Sequence, residues 1–109
     1  MRPFFSAPPS VSAEQAAKQL RSSKVRILDV RKPDEYDAGH IAGAQNIPLG
    51  SLRDHTDALS QRVRYIAVCR SGARSSRATK YLRRAGLEVV NLEGGMVSWE
   101  RAGLPIDRA

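Results

Sequence analysis

Cys69-Arg70-Ser71-Gly72-Ala73-Arg74-Ser75 holds the only cysteine of the chain. An apolar, strand-like run (Val63, Tyr65, Ile66, Ala67, Val68) precedes it, and a helical pattern follows. A thiol at such a junction, beside two arginines and before a helix start, is placed to become a stable thiolate. Cations and helix N-termini lower a thiol pKa, and the thiolate is the nucleophile. Gly72 and the small residues Ser71, Ala73, Ser75 and Ser76 let the loop curl tightly. Successive backbone N–H groups then point inward and form an anion-binding nest. Its centre is the Cys69 sulfur, or whatever that sulfur bears.

No clear general base accompanies this loop. A hydroxyl nucleophile needs one because it must lose a proton, whereas a thiolate does not. If the thiolate attacks a soft electrophilic sulfur, an anion such as sulfite can leave without a proton. The remaining problem is electrostatic, because an anion must meet an anion. Arg70 and Arg74 suit that problem, since a guanidinium stays charged and grips oxyanions with two donors.

The elements that must position this loop alternate along the chain. Ser12 with Gln15 fits a capping box for a helix through Ala16, Ala17 and Leu20. Val25 to Val30 reads as a buried strand, rich in β-branched residues. Pro33-Asp34-Glu35-Tyr36 opens a short helix that Gly39 ends. Ala44 to Ile47 is a small extended segment, stopped by Pro48. Leu49 to Gln61 reads as a helix with apolar Leu52 and Leu59. Val63 to Val68 is the strand that delivers Cys69. Ser75 to Ala85 is a helix, with Ala78, Leu82 and Ala85 on one face and Gly86 at its C-terminal end. Glu88 to Leu92 is a further strand, and Met96 to Ala102 a last helix. Repeated βα units predict an α/β fold with a mostly parallel sheet and helices on both faces. Ligand sites in such sheets form beyond the carboxyl ends of strands. Cys69 stands at one such end and Arg31 at another.

Composition bounds the remaining possibilities. At 109 residues the chain is one domain. Residues 1–10, with Pro3, Pro8 and Pro9, read as a flexible lead, and residues 11–109 as the domain. No apolar run approaches the roughly 20 residues needed to cross a membrane, so no membrane partner is expected. One cysteine permits no internal disulfide, and a reactive thiol suits the reducing cytoplasm. His40 and His55 lack a metal-ligand spacing, so no metal is expected. The net charge is +7, from 18 Lys and Arg against 11 Asp and Glu. The basic residues are spread out, with no stacking aromatics and no helix-turn-helix signature, which argues against nucleic acid. Arg77, Lys80, Arg83 and Arg84 read as a solvated ridge.

Three segments resemble the rhodanese family. Leu28-Asp29-Val30-Arg31, Glu35-Tyr36 and Gly39 through Pro48 are similar to its upstream signature. Cys69 to Ser75 is similar to its active loop. Gly94-Gly95-Met96-Val97-Ser98-Trp99 with Gly103-Leu104-Pro105 is similar to its closing signature. Together they span roughly residues 12 to 107. The resemblance implies a compact rhodanese-like domain around a five-stranded sheet, one strand more than the periodicity gives. A very short strand near Ser10-Val11 would supply it. It further implies a thiosulfate sulfurtransferase that works without a cofactor. Cys69 takes the outer sulfur of a small anionic donor as a persulfide, then passes it to cyanide, a thiol or a protein acceptor. Arg70, Ser71, Gly72, Ala73, Arg74 and Ser75 would bind donor and persulfide. Arg31 would either join them or pair with Asp29 or Glu35. A Cys-Arg-Ser-Gly-Ala-Arg loop looks like the thiosulfate-using branch. The mercaptopyruvate-using branch resembles Cys-Gly-Ser-Gly-Val-Thr. Relatives with phosphatase activity carry Cys-x5-Arg, one residue longer than the Cys-x4-Arg found here. A monomer suffices for this chemistry. Two alternatives stand beside it: a carrier module delivering sulfur to a partner protein, and a phosphatase- or arsenate-reductase-like enzyme.

Overall fold

The computed structural model describes residues 7–108. Five parallel strands form one sheet: β1 (Ser10–Val11), β2 (Val25–Asp29), β3 (Gln45–Asn46), β4 (Arg64–Val68) and β5 (Glu88–Leu92). Their spatial order is β1-β5-β4-β2-β3. The long central strands β2, β4 and β5 are the three the periodicity marks most clearly. They are rich in Val and Ile because both faces of a parallel sheet are covered.

The period of two along β4 divides the core. Tyr65, Ala67 and Cys69 face one layer, with Ala78, Leu82 and Leu52. Ile66 and Val68 face the other, with Ala13, Ala16, Met96 and Trp99. The first layer is covered by α4 (Ala73–Arg84) and α3 (Leu52–His55), the second by α1 (Ala13–Gln19) and α5 (Gly95–Arg101). A short α2 (Pro33–Ala38) links β2 to β3. Among the described residues no helix is long and apolar enough to cross a membrane.

The fifth strand lies where the resemblance implies it, and one helix differs from the sequence reading. The fifth strand is Ser10–Val11, in register with Asn91 and Leu92. The Pro9 carbonyl also accepts from Asn91 N–H at 2.9 Å. The sheet therefore takes in the end of the segment read as a flexible lead, while residues 1–6 lie outside the described residues. The single helix expected from Leu49 to Gln61 is instead three short turns. A 3₁₀ turn over Leu49–Ser51 leads into α3, and a second 3₁₀ turn covers Thr56–Ala58. Side chains there compete for backbone carbonyls: Thr56 Oγ1 donates to Leu52 O at 2.8 Å, and His55 Nδ1 lies 2.8 Å from Ser51 O. Such back-bonding, with Gly50 in the first turn, disfavours one continuous helix.

Candidate active site

Asp29 and Val68 are register partners on β2 and β4, so both strands end at the same level. Val30 N–H donates to Val68 O at 3.0 Å, just before the chain reaches Cys69. Arg31 and Cys69 therefore leave the sheet at one edge, beyond the carboxyl ends of adjacent strands, as the pattern predicts.

The Cys69 side chain is buried at the mouth of α4. Gly72 precedes the first helical residue with φ +106° and offers no capping side chain. Helix N-termini leave their first N–H groups without intrahelical partners. Here the Cys69 sulfur takes the capping position. It accepts from Gly72 N–H at 3.1 Å, from Ser75 N–H at 3.4 Å and from the Ser75 hydroxyl at 3.3 Å. Burial pushes the Cys69 thiol up, yet the bonds from Ser75 (hydroxyl and amide), Gly72 and Ser71 outweigh it. The net effect holds the thiol below its ordinary value of 9.0. Donors aimed at a thiolate, at the positive end of a twelve-residue helix, favour the charged form.

The loop is held from three sides. The α5 N-terminus supplies Met96 N–H to Cys69 O at 2.8 Å and Val97 N–H to Arg70 O at 3.1 Å. Asn91, at the end of β5, donates from Nδ2 to Gly72 O at 3.3 Å. Arg74 donates two bonds to Glu35 on α2, at 2.7 and 2.9 Å. Glu35 itself is fixed by Lys32 N–H at 3.1 Å, the return half of a helix-start box. Gly95 must be glycine, because an added Cβ would collide with the Cys69 carbonyl oxygen and lie 2.7 Å from the Arg70 carbonyl carbon. Its φ of +57° points the same way.

The sequence candidates separate into two groups. Cys69, Ser71, Gly72 and Ser75 surround the sulfur. Arg70 is exposed at the loop mouth, and Ala73 lies on the loop's outer side as the first residue of α4. Arg74 closes the loop against Glu35 and does not lie free at its mouth. Arg31 is buried and tied to Asp29 by Nε and Nη2, the shortest contact 2.7 Å, and to Gly39 O at 2.7 Å. Its pairing is with Asp29, one of the two partners foreseen. Asn91 and the exact part played by Gly95 were not singled out. A buried Asn at a strand end, followed by paired glycines, is the signal that could have marked them. His40 is structural: its ring stacks on Tyr36 at 3.8 Å, and its backbone bridges to Asp107. Among the described residues no group of three or more His, Cys, Asp or Glu could hold a metal ion.

Comparison with known proteins identifies the family and the fold. Residues 12–102 match the model of the Rhodanese-like domain. The chain belongs to the rhodanese family. A protein named "Sulfurtransferase" from Allochromatium vinosum is 34% identical over 88% of this chain and 92% of its own length. A rhodanese-related protein from Thermoplasma volcanium superposes with a TM-score of 0.86 at 34% identity, covering 91% of this chain and 97% of that one. A thiosulfate sulfurtransferase from Pseudomonas aeruginosa superposes with a TM-score of 0.78 at 34% identity, over 93% of this chain but 20% of that one. Two further curated relatives, 36% and 39% identical, are longer, and the chain spans 44% and 61% of their lengths. In this rhodanese domain Cys69 is the candidate nucleophile, in the loop between β4 and α4.

Proposed function

We propose that this rhodanese domain transfers the outer sulfur of thiosulfate through a persulfide on Cys69. The observation that carries the reading is the set of three donors on the Cys69 sulfur, with the thiol held below its ordinary value. In the first step the thiolate attacks the outer sulfur of thiosulfate. The S–S bond of the donor breaks, and sulfite leaves with its electron pair. Cys69 now bears a persulfide anion, and no proton has moved. In the second step a nucleophilic acceptor attacks the outer sulfur, and Cys69 departs as thiolate. With cyanide the product is thiocyanate.

The role of each residue follows from charge. Exposed Arg70 draws the dianionic donor toward an anionic nucleophile. Loop amides from Arg70 to Ser75 stabilise the outer sulfur anion. Arg74 acts by holding the loop closed through Glu35, and Arg31 by holding the adjacent strand end. The name of the Pseudomonas aeruginosa relative supports thiosulfate as donor. A phosphatase reading is less favoured because Arg74 commits two of its five N–H donors to Glu35 on α2.

Intact-mass measurement after incubation with thiosulfate tests the reading. Cys69 gains one sulfur atom, and Cys69→Ser gains none and makes no thiocyanate. A wild-type mass that stays unchanged overturns it.

A further inference from the structure

The outer face of α4 carries charge that the fold does not use. Arg77, Lys80 and Arg84 are exposed and make no ion pair among the described residues. Arg83 differs, since its Nη1 donates to the Val89 carbonyl at 3.0 Å. Tyr81 lies one helical turn beyond Arg77, on the same face. It is 40% exposed, the only large apolar side chain so open among the described residues. The one bare aromatic ring thus stands within the row of unpaired cations.

Beside Tyr81 runs a groove of about 550 Å³, between α4 and the segment from the Leu49 turn to α3. Buried Leu52 and half-buried Leu49 give it an apolar floor. Exposed Arg53 and Arg77 give it a cationic rim, to which Asp54 adds a carboxylate. Arg53 makes no ion pair among the described residues either. None of the lining residues belongs to the loop from Cys69 to Ser75. The groove is therefore separate from the sulfur site, although both border the same helix.

We infer that this groove docks an acidic segment of a partner protein, anchored by a large apolar side chain. Charge selects the occupant. Arg53, Arg77, Lys80 and Arg84 outnumber Asp54, so the surface is complementary to an acidic chain. A second copy of this protein carries the same net charge of +7 and is repelled. The apolar part selects further. A phosphate backbone pairs with the arginines and leaves Tyr81 and the leucine floor uncovered. An apolar anchor covers both, and tyrosine and arginine are the residue types that dominate docking energy. Such a segment lies in the groove as amphipathic helices do, apolar side inward and acidic side against the rim.

Fluorescence anisotropy with the full chain tests this. One labelled peptide is glutamate-rich with leucines at helical spacing, and a second carries serine in place of each leucine. The leucine peptide binds about fivefold tighter, as expected for a buried apolar anchor. Tyr81→Ser removes most of that preference. Arg77→Glu with Arg84→Glu weakens both peptides by about tenfold. Lys18→Glu with Arg101→Glu makes the same change in net charge on α1 and α5, which cover the opposite layer. That pair weakens binding by only about twofold, because exposed charges at such a distance are screened. All five positions are exposed or half-buried, so thermal midpoints stay near wild type. Equal affinity for the two peptides, or equal weakening by the two charge pairs, overturns the proposal. So does duplex DNA that binds more tightly than the leucine peptide, or a dimer in sedimentation that Tyr81→Ser abolishes.

Discussion

Arg74 and Glu35 stand 39 residues apart in sequence and meet in a two-pronged ion pair, one prong 2.7 Å and the other 2.9 Å. The pair locks the first turn of α4 to α2, and so fixes one wall of the Cys69 loop. The Arg74 bond, opposed by partial burial, holds the Glu35 carboxyl down from 4.5 to about 2. A depressed carboxylate pKa adds stability that is fully present above the unfolded pKa and lost as pH falls through the folded one. The window here is therefore pH 4.5 down to about 2. The side chains remain 29% and 34% exposed, so solvent screening reduces the contribution to about 1 kcal/mol. Glu35→Gln loses that amount at neutral pH and flattens the acid limb. Urea melts from pH 2 to 6 check both effects. An acid limb as steep in Glu35→Gln as in wild type would refute the assignment.

Ser75 gives the Cys69 sulfur two of its three hydrogen bonds. Ser75→Ala removes the hydroxyl and keeps the amide. Fewer donors to a thiolate mean a higher thiol pKa. The alkylation rate of Cys69 against pH thus has a midpoint below 9.0 in wild type and a higher one in Ser75→Ala. The thermal midpoint changes little, because Ala fits the buried space and is a good helix former. Coincident alkylation profiles would show that the hydroxyl does not act on the sulfur.

How legible was this in the sequence? The long strands announced themselves, because Ile66 and Val68 alternate with Tyr65 and Ala67 between two apolar layers. The Ser12 box was legible too, since Ser12 and Gln15 bond each other's backbone as local motifs do. The edge strand Ser10–Val11 has two residues, too few for any period to show. The turns after Pro48 failed as a helix because Thr56 and His55 bond their own neighbourhood, which apolar spacing does not encode. Cys69 stood out by residue type. The partner of Arg74 did not, since a salt bridge spanning distant elements depends on how α2 and α4 pack. Arg31 divided along the same line: its pairing with Asp29 is local, two residues away, while its place in one cavity with Arg70 is tertiary.

Gly95 brings α5 against the Cys69 loop more closely than any side chain permits. Alanine there would place a Cβ 2.7 Å from the Arg70 carbonyl carbon, and backbone atoms do not yield cheaply. The positive φ adds its own strain. Gly95→Ala is expected to cost about 1–3 kcal/mol and to move the loop amides off the sulfur. Both a lower urea midpoint and a Cys69 alkylation midpoint shifted upward should appear. Retention of both wild-type values would mean that the close approach is not maintained in solution.

Asn91 separates holding the loop from holding the fold. Its Nδ2 donates to Gly72 O at 3.3 Å, while its buried Oδ1 has no partner among the described residues. Replacing a half-satisfied buried amide with an apolar isostere removes a weak bond together with an orphaned acceptor, and the two changes nearly cancel. Asn91→Leu should therefore leave stability within about 1 kcal/mol of wild type. Its effect falls on Gly72, whose carbonyl loses the tether that helps fix φ at +106° and so aims the Gly72 N–H at the sulfur. Sulfur loading from thiosulfate should slow through kcat with KM little changed, and the thiol midpoint should rise. A variant that is destabilised yet titrates like wild type would make Asn91 a packing residue and leave the loop to Arg74 and α5.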